Sequence, residues 1–181
     1  IGTTKEVSNP NTLDSKNTVI RTAAMDCYIL PCEYMGFSTT SIASSDTFAA
    51  LQTGVVEGLA GSTPAGAYLN YRDIIDYYYV YQMSPEVTQI MISEKTLAKL
   101  SPEDQKTIVD ICRQECANSV NYAKEEDEKY LKLMEDNDIK IVRFSDEEIE
   151  MFAEAVRTDV WPKLAKTYGE DFINELLKLY K

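Results

Sequence analysis

Apolar runs and helix-spaced apolar residues alternate along the first part of this chain. Residues 18–22 and 37–43 predict strands, and residues 3–7 fit an extended segment. Apolar residues from position 25 to position 35 follow a helical period and predict a helix between the strands. The β-α-β-α-β order that continues from here favours a parallel sheet, so the predicted fold class is α/β.

The stretch of residues 44–66 predicts a short helix, a brief strand at Val55 and Val56, and a loop of small residues before another helix. Ser44 or the serine after it is expected to cap the first helix, and Gly54 to end it. Pro64 suits the first turn of the second helix. A strand that leads through such a loop into a helix is where α/β proteins bind ligands, although a plain surface turn has the same pattern.

The remaining elements are read from composition and capping residues. Residues 74–83 are rich in tyrosine, which more often means a half-buried strand than a platform for a sugar or aromatic ligand. Residues 87–92 predict another strand. Ser101 precedes Pro-Glu-Asp and predicts the start of a long helix, whose charged run at 124–129 should face solvent. Ser145 predicts a second capped helix near the C-terminus.

Composition narrows the classes of function. The net charge of −12 argues against nucleic acid and anionic membranes as partners, because both require basic surfaces. The chain has no histidine, which removes the usual general base and the commonest metal ligand. We therefore expect no catalysis, no metal and no cofactor. The four cysteines lack zinc-site spacing and are expected to be small buried thiols: Cys27, Cys32, Cys112 and Cys116.

Arg21 is a charged residue inside an apolar run. A partly buried guanidinium needs a partner, and its planar fork suits a carboxylate with two parallel hydrogen bonds. The residues alone leave two partners open: an internal acid such as Glu57 or Asp26, or the carboxylate of a ligand.

Several motifs occur in a characteristic order: Arg21 at a strand end, Gly36 closing a helix, SSDTFAALQTGVVEG, YRDIIDYYYV, and LSPEDQKTI opening the long helix. With these motifs the chain resembles, over essentially its whole length, the DctP-type solute-binding proteins of tripartite ATP-independent periplasmic (TRAP) transporters. The resemblance implies a two-lobe, type II-like periplasmic-binding-protein fold that closes on a small organic acid and delivers it to a membrane permease. It also implies a periplasmic or extracytoplasmic location, with a lipoprotein anchor in a Gram-positive source.

The resemblance further implies that the chain is the C-terminal part of such a receptor. Residues 1–86 would supply the hinge strand, the Arg21 strand and the Gly-rich ligand loop of the second lobe. Residues 87–137 would supply a hinge strand and the long helix that complete an absent first lobe, and residues 138–181 would finish the second lobe. The implied hinge residues are Thr3, Thr4, Val87 and Thr88.

The resemblance assigns the ligand contacts by position. Arg21 matches the family arginine that binds the substrate carboxylate, which favours a ligand over an internal ion pair. The other implied contacts are small or polar, namely Ser44, Gly61, Ser62 and Thr63, while Phe48, Leu51 and Val55 would pack inside the lobe. The sequence departs from the family where Ala23 replaces a frequent Pro, Gly61 a frequent ligand-binding Asn, and Ser44 a frequent aromatic. The ligand is therefore not inferred from sialic acid or C4-dicarboxylate receptors.

An interaction protein without a transport role is the alternative function. A truncated or domain-swapped homologue would expose apolar residues that favour self-association, namely Ile90, Ile92, Ile108 and Ile111. The 181-residue chain alone is also expected to bind ligand weakly, because half of the binding cleft would be absent.

Overall fold

A computed structural model describes residues 1–84 and 86–180, and these residues form one six-stranded sheet with helices on both faces. In chain order, the strands are β1 (Gly2–Thr3), β2 (Val19–Thr22), β3 (Ser38–Ser41), β4 (Gly58–Leu59), β5 (Tyr77–Val80) and β6 (Lys140–Arg143). Their order across the sheet is β3-β2-β4-β1-β5-β6. The α/β class is confirmed.

The sheet is mixed, which corrects the prediction of a parallel sheet. β2 pairs in parallel with β3 and β4, and β5 pairs in parallel with β6, whereas β1 runs antiparallel between β4 and β5. A crossover connection is required only between neighbouring strands that run in parallel. Both neighbours of β1 are antiparallel to it, so this requirement does not apply to β1. As a result, the carboxyl ends of the other strands meet the amino end of β1 at one edge of the sheet.

The described residues form eight α-helices. They are α1 (Asp26–Tyr34), α2 (Thr47–Gln52), α3 (Pro64–Tyr71), α4 (Glu94–Leu97), α5 (Pro102–Glu135), α6 (Asp146–Asp159), α7 (Trp161–Tyr168) and α8 (Glu170–Lys178). The predicted caps are confirmed: the Ser101 hydroxyl accepts from the Asp104 amide at 3.1 Å, and Ser145 forms a capping box with Glu148. Pro64 lies in the first turn of α3, also as predicted.

Two apolar cores cover the two faces of the sheet, because successive side chains of a strand point to opposite faces. Tyr78 packs with α3 and the end of α5 on one face, whereas Tyr79 and Tyr81 pack with α1 and α6 on the other. The Tyr79 hydroxyl accepts from the Val7 amide at 2.8 Å, and the Tyr81 hydroxyl donates to the Pro10 carbonyl at 2.6 Å. The tyrosine-rich segment therefore contains a largely buried strand, as predicted.

The short helix before the Gly-rich loop differs from its prediction in its cap. Ser44 and its neighbour form a 3₁₀ turn (Ser44–Asp46) ahead of α2, and neither side chain caps that helix. Phe48 is 40% exposed, whereas Leu51, three residues later in this short helix, is buried as predicted. The buried stripe of α2 consists of Thr47, Ala50 and Leu51, and Phe48 lies beside it, so the predicted place of Phe48 in the core is wrong.

The strand predicted at Val55 and Val56 lies instead at Gly58–Leu59. Gly54 has a left-handed φ of 71°, as predicted for a helix end, and the Val56 amide still bonds back to the Ala50 carbonyl at 3.3 Å. Pairing with the sheet therefore begins only after that turn has closed. Val56 is buried, but Val55 is 62% exposed, so its predicted place in the core is wrong.

Residues 86–92 form no strand, which corrects the strand predicted at 87–92. A single extended segment needs a neighbouring strand for its backbone hydrogen bonds, and no described strand lies beside it. Most of α5 is similarly uncovered, including its charged run at 124–129, as predicted; its buried apolar residues, Leu131 and Met134, lie near its C-terminal end.

The expectation of buried thiols holds for one cysteine. Cys32 is buried between α1 and the sheet, and burial raises the pKa of its thiol to about 12. Cys27 and Cys116 are exposed and Cys112 is half-buried, because they lie on the outer faces of α1 and α5. All four are free thiols.

Candidate ligand-binding site

The predicted contact residues lie at the carboxyl ends of three neighbouring strands. Arg21, near the end of β2, pairs with Thr40 of β3 and Leu59 of β4. Ser44 follows β3, and residues 61–63 follow β4. Since these strands run in the same direction, the segments after them share one edge of the sheet, where α/β proteins bind their ligands.

Arg21 has an unusual environment for a half-buried cation. Its Nε donates to the Ile42 carbonyl at 2.8 Å, and among the described residues no carboxylate lies within 4 Å of its guanidinium nitrogens. Glu57 forms an ion pair with Lys5, which lowers the pKa of its carboxyl, and Asp26 accepts from the Thr167 hydroxyl. The internal ion pair that the sequence left open is therefore not formed.

The loop after β4 is held in place by its own hydrogen bonds. The Thr63 hydroxyl accepts from the Gly66 amide at 3.0 Å and so caps α3, and the Ser62 carbonyl accepts from the Tyr78 hydroxyl at 2.9 Å. Gly61 has a left-handed φ of 78°, and a Cβ built on it would lie 3.1 Å from Cε1 of Tyr28. This loop therefore presents glycine backbone and hydroxyl groups at the edge of the sheet.

A cavity of about 480 Å³ lies beside this loop, and we call it the polar cavity because three carboxylates line it. Residues 61–63 and the segment 78–84 line it. Its wall also includes Glu86 and, from α5, Glu126 and Asp127. Burial, and secondarily the charge of Glu128, raises the pKa of the Asp127 carboxyl.

A second cavity of about 430 Å³ lies between α1, α6 and α7. We call it the apolar cavity, because its wall is mostly carbon; its lining includes Tyr28, Pro31, Met35, Phe152, Val156, Trp161 and Leu164. Gly61 and residues 81–84 line both cavities, so the two adjoin at this point. Arg157 also borders the apolar cavity and pairs with Glu150 and Glu154.

The predicted residues thus fall into separate groups. Gly61, Ser62 and Thr63 line the polar cavity, whereas Arg21 and Ser44 lie at the same edge of the sheet but outside both cavity walls. Ser44 is exposed in its 3₁₀ turn.

The predicted hinge residues also differ among themselves. Thr3 is buried in β1, and the Thr4 amide donates to the Glu57 carbonyl at 2.8 Å, so the sheet holds both. Val87 and Thr88 lie in the exposed segment without regular structure.

Sequence reasoning missed several cavity residues. Tyr28 could have been found, because the first turn of the helix after the Arg21 strand lies at the same edge of the sheet. Gln82 has a left-handed φ of 50°, which no sequence signal indicates for a glutamine. Asp127 lies within a run of charges that solvation alone explains, so the sequence does not distinguish it from its neighbours.

Comparison with solved structures identifies the fold. The chain superimposes on a TRAP periplasmic solute-binding protein from Escherichia fergusonii with a TM-score of 0.74 and 22% identity, covering 96% of this chain and 57% of that one. The corresponding protein from Pseudomonas putida F1, with bound D-glucuronate, gives 0.71 and 20%, covering 98% and 54%. That from Shewanella oneidensis, with bound succinate, gives 0.73 and 18%, covering 99% and 58%.

The chain therefore spans a little over half the length of these two-lobe proteins. No described helix has both the length and the apolar character needed to cross a bilayer. No curated protein matches the chain in sequence. The profile of the bacterial extracellular solute-binding proteins of family 7, named DctP, matches residues 1–167, and the chain belongs to this family.

Proposed function

We propose that this chain is part of the extracytoplasmic receptor of a TRAP transporter and binds a small organic acid through an Arg21–carboxylate pair. The observation that carries the proposal is the half-buried guanidinium with no carboxylate within 4 Å among the described residues. The Ile42 carbonyl takes one donor, Nε, and leaves the terminal nitrogens for a ligand. A bidentate carboxylate matches that geometry and would supply the missing countercharge.

The neighbours from Pseudomonas putida and Shewanella oneidensis support an acid as ligand, since D-glucuronate and succinate both carry carboxylates. The family is one of solute-binding proteins, and we infer that the chain binds its ligand without catalysis. The receptor would then deliver the ligand to a membrane permease from the periplasm or the outer face of the membrane.

Closure of the receptor would follow from the same interaction. A ligand favours the closed state only by the free energy with which it binds that state more tightly than the open one. The proposed hinge combines Thr3 and Thr4 with Val87 and Thr88. The exposure of the second pair supports its ability to change conformation, whereas the first pair is anchored in the sheet and would act as a fixed pivot.

Calorimetric titration of the complete protein with a panel of carboxylates tests the proposal. We expect Arg21→Ala to weaken binding at least about 30-fold, because it removes a charge-assisted, bidentate contact. Arg72→Ala is the matched control, since Arg72 is a partly exposed arginine at the end of α3 and lines neither cavity. Equal affinities of the wild-type and Arg21→Ala proteins would refute the carboxylate role.

Self-association is the second candidate function. Ile90, Ile92 and Ile111 are exposed, and Ile108 is half-buried, so the segment around the start of α5 presents apolar surface. Light scattering of the 181-residue chain tests it. A dimer that dissociates on Ile90→Ser plus Ile111→Ser would support this function, and a monomer at high concentration would exclude it.

A further inference from the structure

We propose that the apolar cavity between α1, α6 and α7 is a second binding site, and that it takes an uncharged molecule with one or two rings. This second site goes beyond the carboxylate site proposed above and does not involve Arg21.

The apolar cavity lies on the face of the sheet opposite the Arg21 side chain. Ile20 packs in the core that contains Tyr81 and Phe152, and both of these rings line the cavity. Arg21 follows Ile20 in β2, and its paired residue in β4, Leu59, belongs to the core on the other face. Arg21 therefore points away from the cavity, and a molecule bound there has to be recognised by other groups.

The walls of the apolar cavity are packed against the rest of the fold. Tyr81 and Phe152 are both buried, and their rings meet edge to face with centroids 5.3 Å apart. Trp161 also lines the cavity, and it packs against the apolar cluster that holds Leu164 of α7 and Ile173 of α8. Walls held in this way keep their shape without a ligand, which lowers the cost of ordering side chains on binding.

The size and surface of the cavity indicate a ring compound. Its volume of about 430 Å³ falls within the range of small-molecule sites, and an apolar cavity of about 150 Å³ is already enough for benzene. Tyr28, Phe152 and Trp161 give the wall aromatic surface, against which a ring can stack or pack edge to face. A flexible chain of the same size would lose more conformational freedom on binding.

The charges at the cavity indicate that the molecule is uncharged. Among the described residues, Arg157 is the only charged residue of the lining. Its guanidinium pairs with Glu150 and Glu154, and its Cζ lies 5.2 Å from the centroid of the Tyr180 ring. An anion would have to compete with two carboxylates for this guanidinium, and a cation would meet its positive charge. An uncharged ring avoids both costs and needs few hydrogen bonds from the apolar wall.

Calorimetric titration of the complete protein uses three probes that share one ring and differ in charge, namely benzyl alcohol, benzoate and benzylammonium. Ala153 lines the cavity from α6, so Ala153→Phe should fill it, and binding is assigned to the cavity only where this substitution weakens it. We expect benzyl alcohol to bind there with a Kd of about 1 mM or below, at least about tenfold more tightly than either ion. Ala153→Phe should weaken this binding at least about tenfold.

Ala155→Phe is the matched control for the filled cavity. Ala155 lies on the same helix, is half-buried like Ala153 and lines neither cavity, so its substitution should leave benzyl alcohol binding within about twofold. Thermal unfolding shows whether both variants are folded. Trp161 fluorescence gives a second readout that needs neither variant: it should change when benzyl alcohol binds, and the change should be absent in Trp161→Phe.

Three results would each overturn the second site: no binding of benzyl alcohol, equal affinities in Ala153→Phe and Ala155→Phe, or tighter binding of either ion in the cavity. If Ala153→Phe does not fold, an unchanged Trp161 fluorescence overturns it instead. Benzoate binding that Ala153→Phe leaves intact lies outside the cavity and bears on the carboxylate function alone, so the two proposals can fail separately.

Discussion

The sheet and its covering helices differ from the segment 86–122 in one respect: what lies against their apolar residues. Ile20, Val56 and Met134 are buried on the two faces of the sheet. Val87, Ile90 and Val120 belong to the same apolar class, but they are exposed, and no described element covers them. The comparison shows that an apolar residue tends to be buried, but that it is buried only where another element packs against it.

The largest expected difference between the two regions lies within α5 itself. Leu131 is 2% exposed and packs in the core, whereas Ile111 is 54% exposed on the same helix. Leu131→Ala should lower the free energy of unfolding by about 3 kcal/mol, through lost burial and the cavity left behind. Ile111→Ala should change it by less than about 0.5 kcal/mol. Urea unfolding measures both values. Similar losses in the two variants would mean that Ile111 is covered in solution.

Local signals explain which parts of the fold the sequence predicts well. The caps at Ser101 and Ser145 and the turn at Gly54 depend on hydrogen bonds and backbone angles within a few residues, so the sequence is sufficient. The direction of β1 and the place of β4 depend on pairing between distant segments, and two-residue strands leave no periodic pattern.

The candidate site divides in the same way. The sequence indicates Arg21 as a candidate because it is a charged residue in an apolar run. It indicates residues 61–63 because they are small residues that follow a strand. The sequence does not reveal the aromatic side of the site, because Tyr28 and Gly61 are in contact although they are 33 positions apart in the chain. The sequence also gives no sign of the acids on α5, since Asp127 is as exposed as its charged neighbours and differs from most of them only in lining the polar cavity.

The caps of α6 and α5 test the same comparison between the covered and uncovered regions, with smaller expected changes in stability. Ser145→Ala removes a capping box from α6, which packs on the sheet, and should lower global stability by about 1 kcal/mol. Ser101→Ala removes the cap of the uncovered end of α5. It should speed hydrogen exchange of the first turns of α5 and change global stability by less than about 0.5 kcal/mol, because that end unfolds locally. Equal global losses would show that the two ends unfold together.

The smallest expected effect lies at Gln82, where β5 leads into the exposed segment. Its φ of 50° is left-handed, which costs free energy for any residue that has a Cβ atom. Gln82→Gly should therefore raise the free energy of unfolding by about 0.5 kcal/mol, the relief of strain being partly offset by the greater entropy of an unfolded glycine. Gln82→Ala is the matched control, since it shortens the side chain but keeps the Cβ atom and hence the strain. Urea unfolding with equal stability for the two variants would mean that residue 82 has a right-handed or extended backbone in solution, and that the sheet does not impose this turn on the segment that follows.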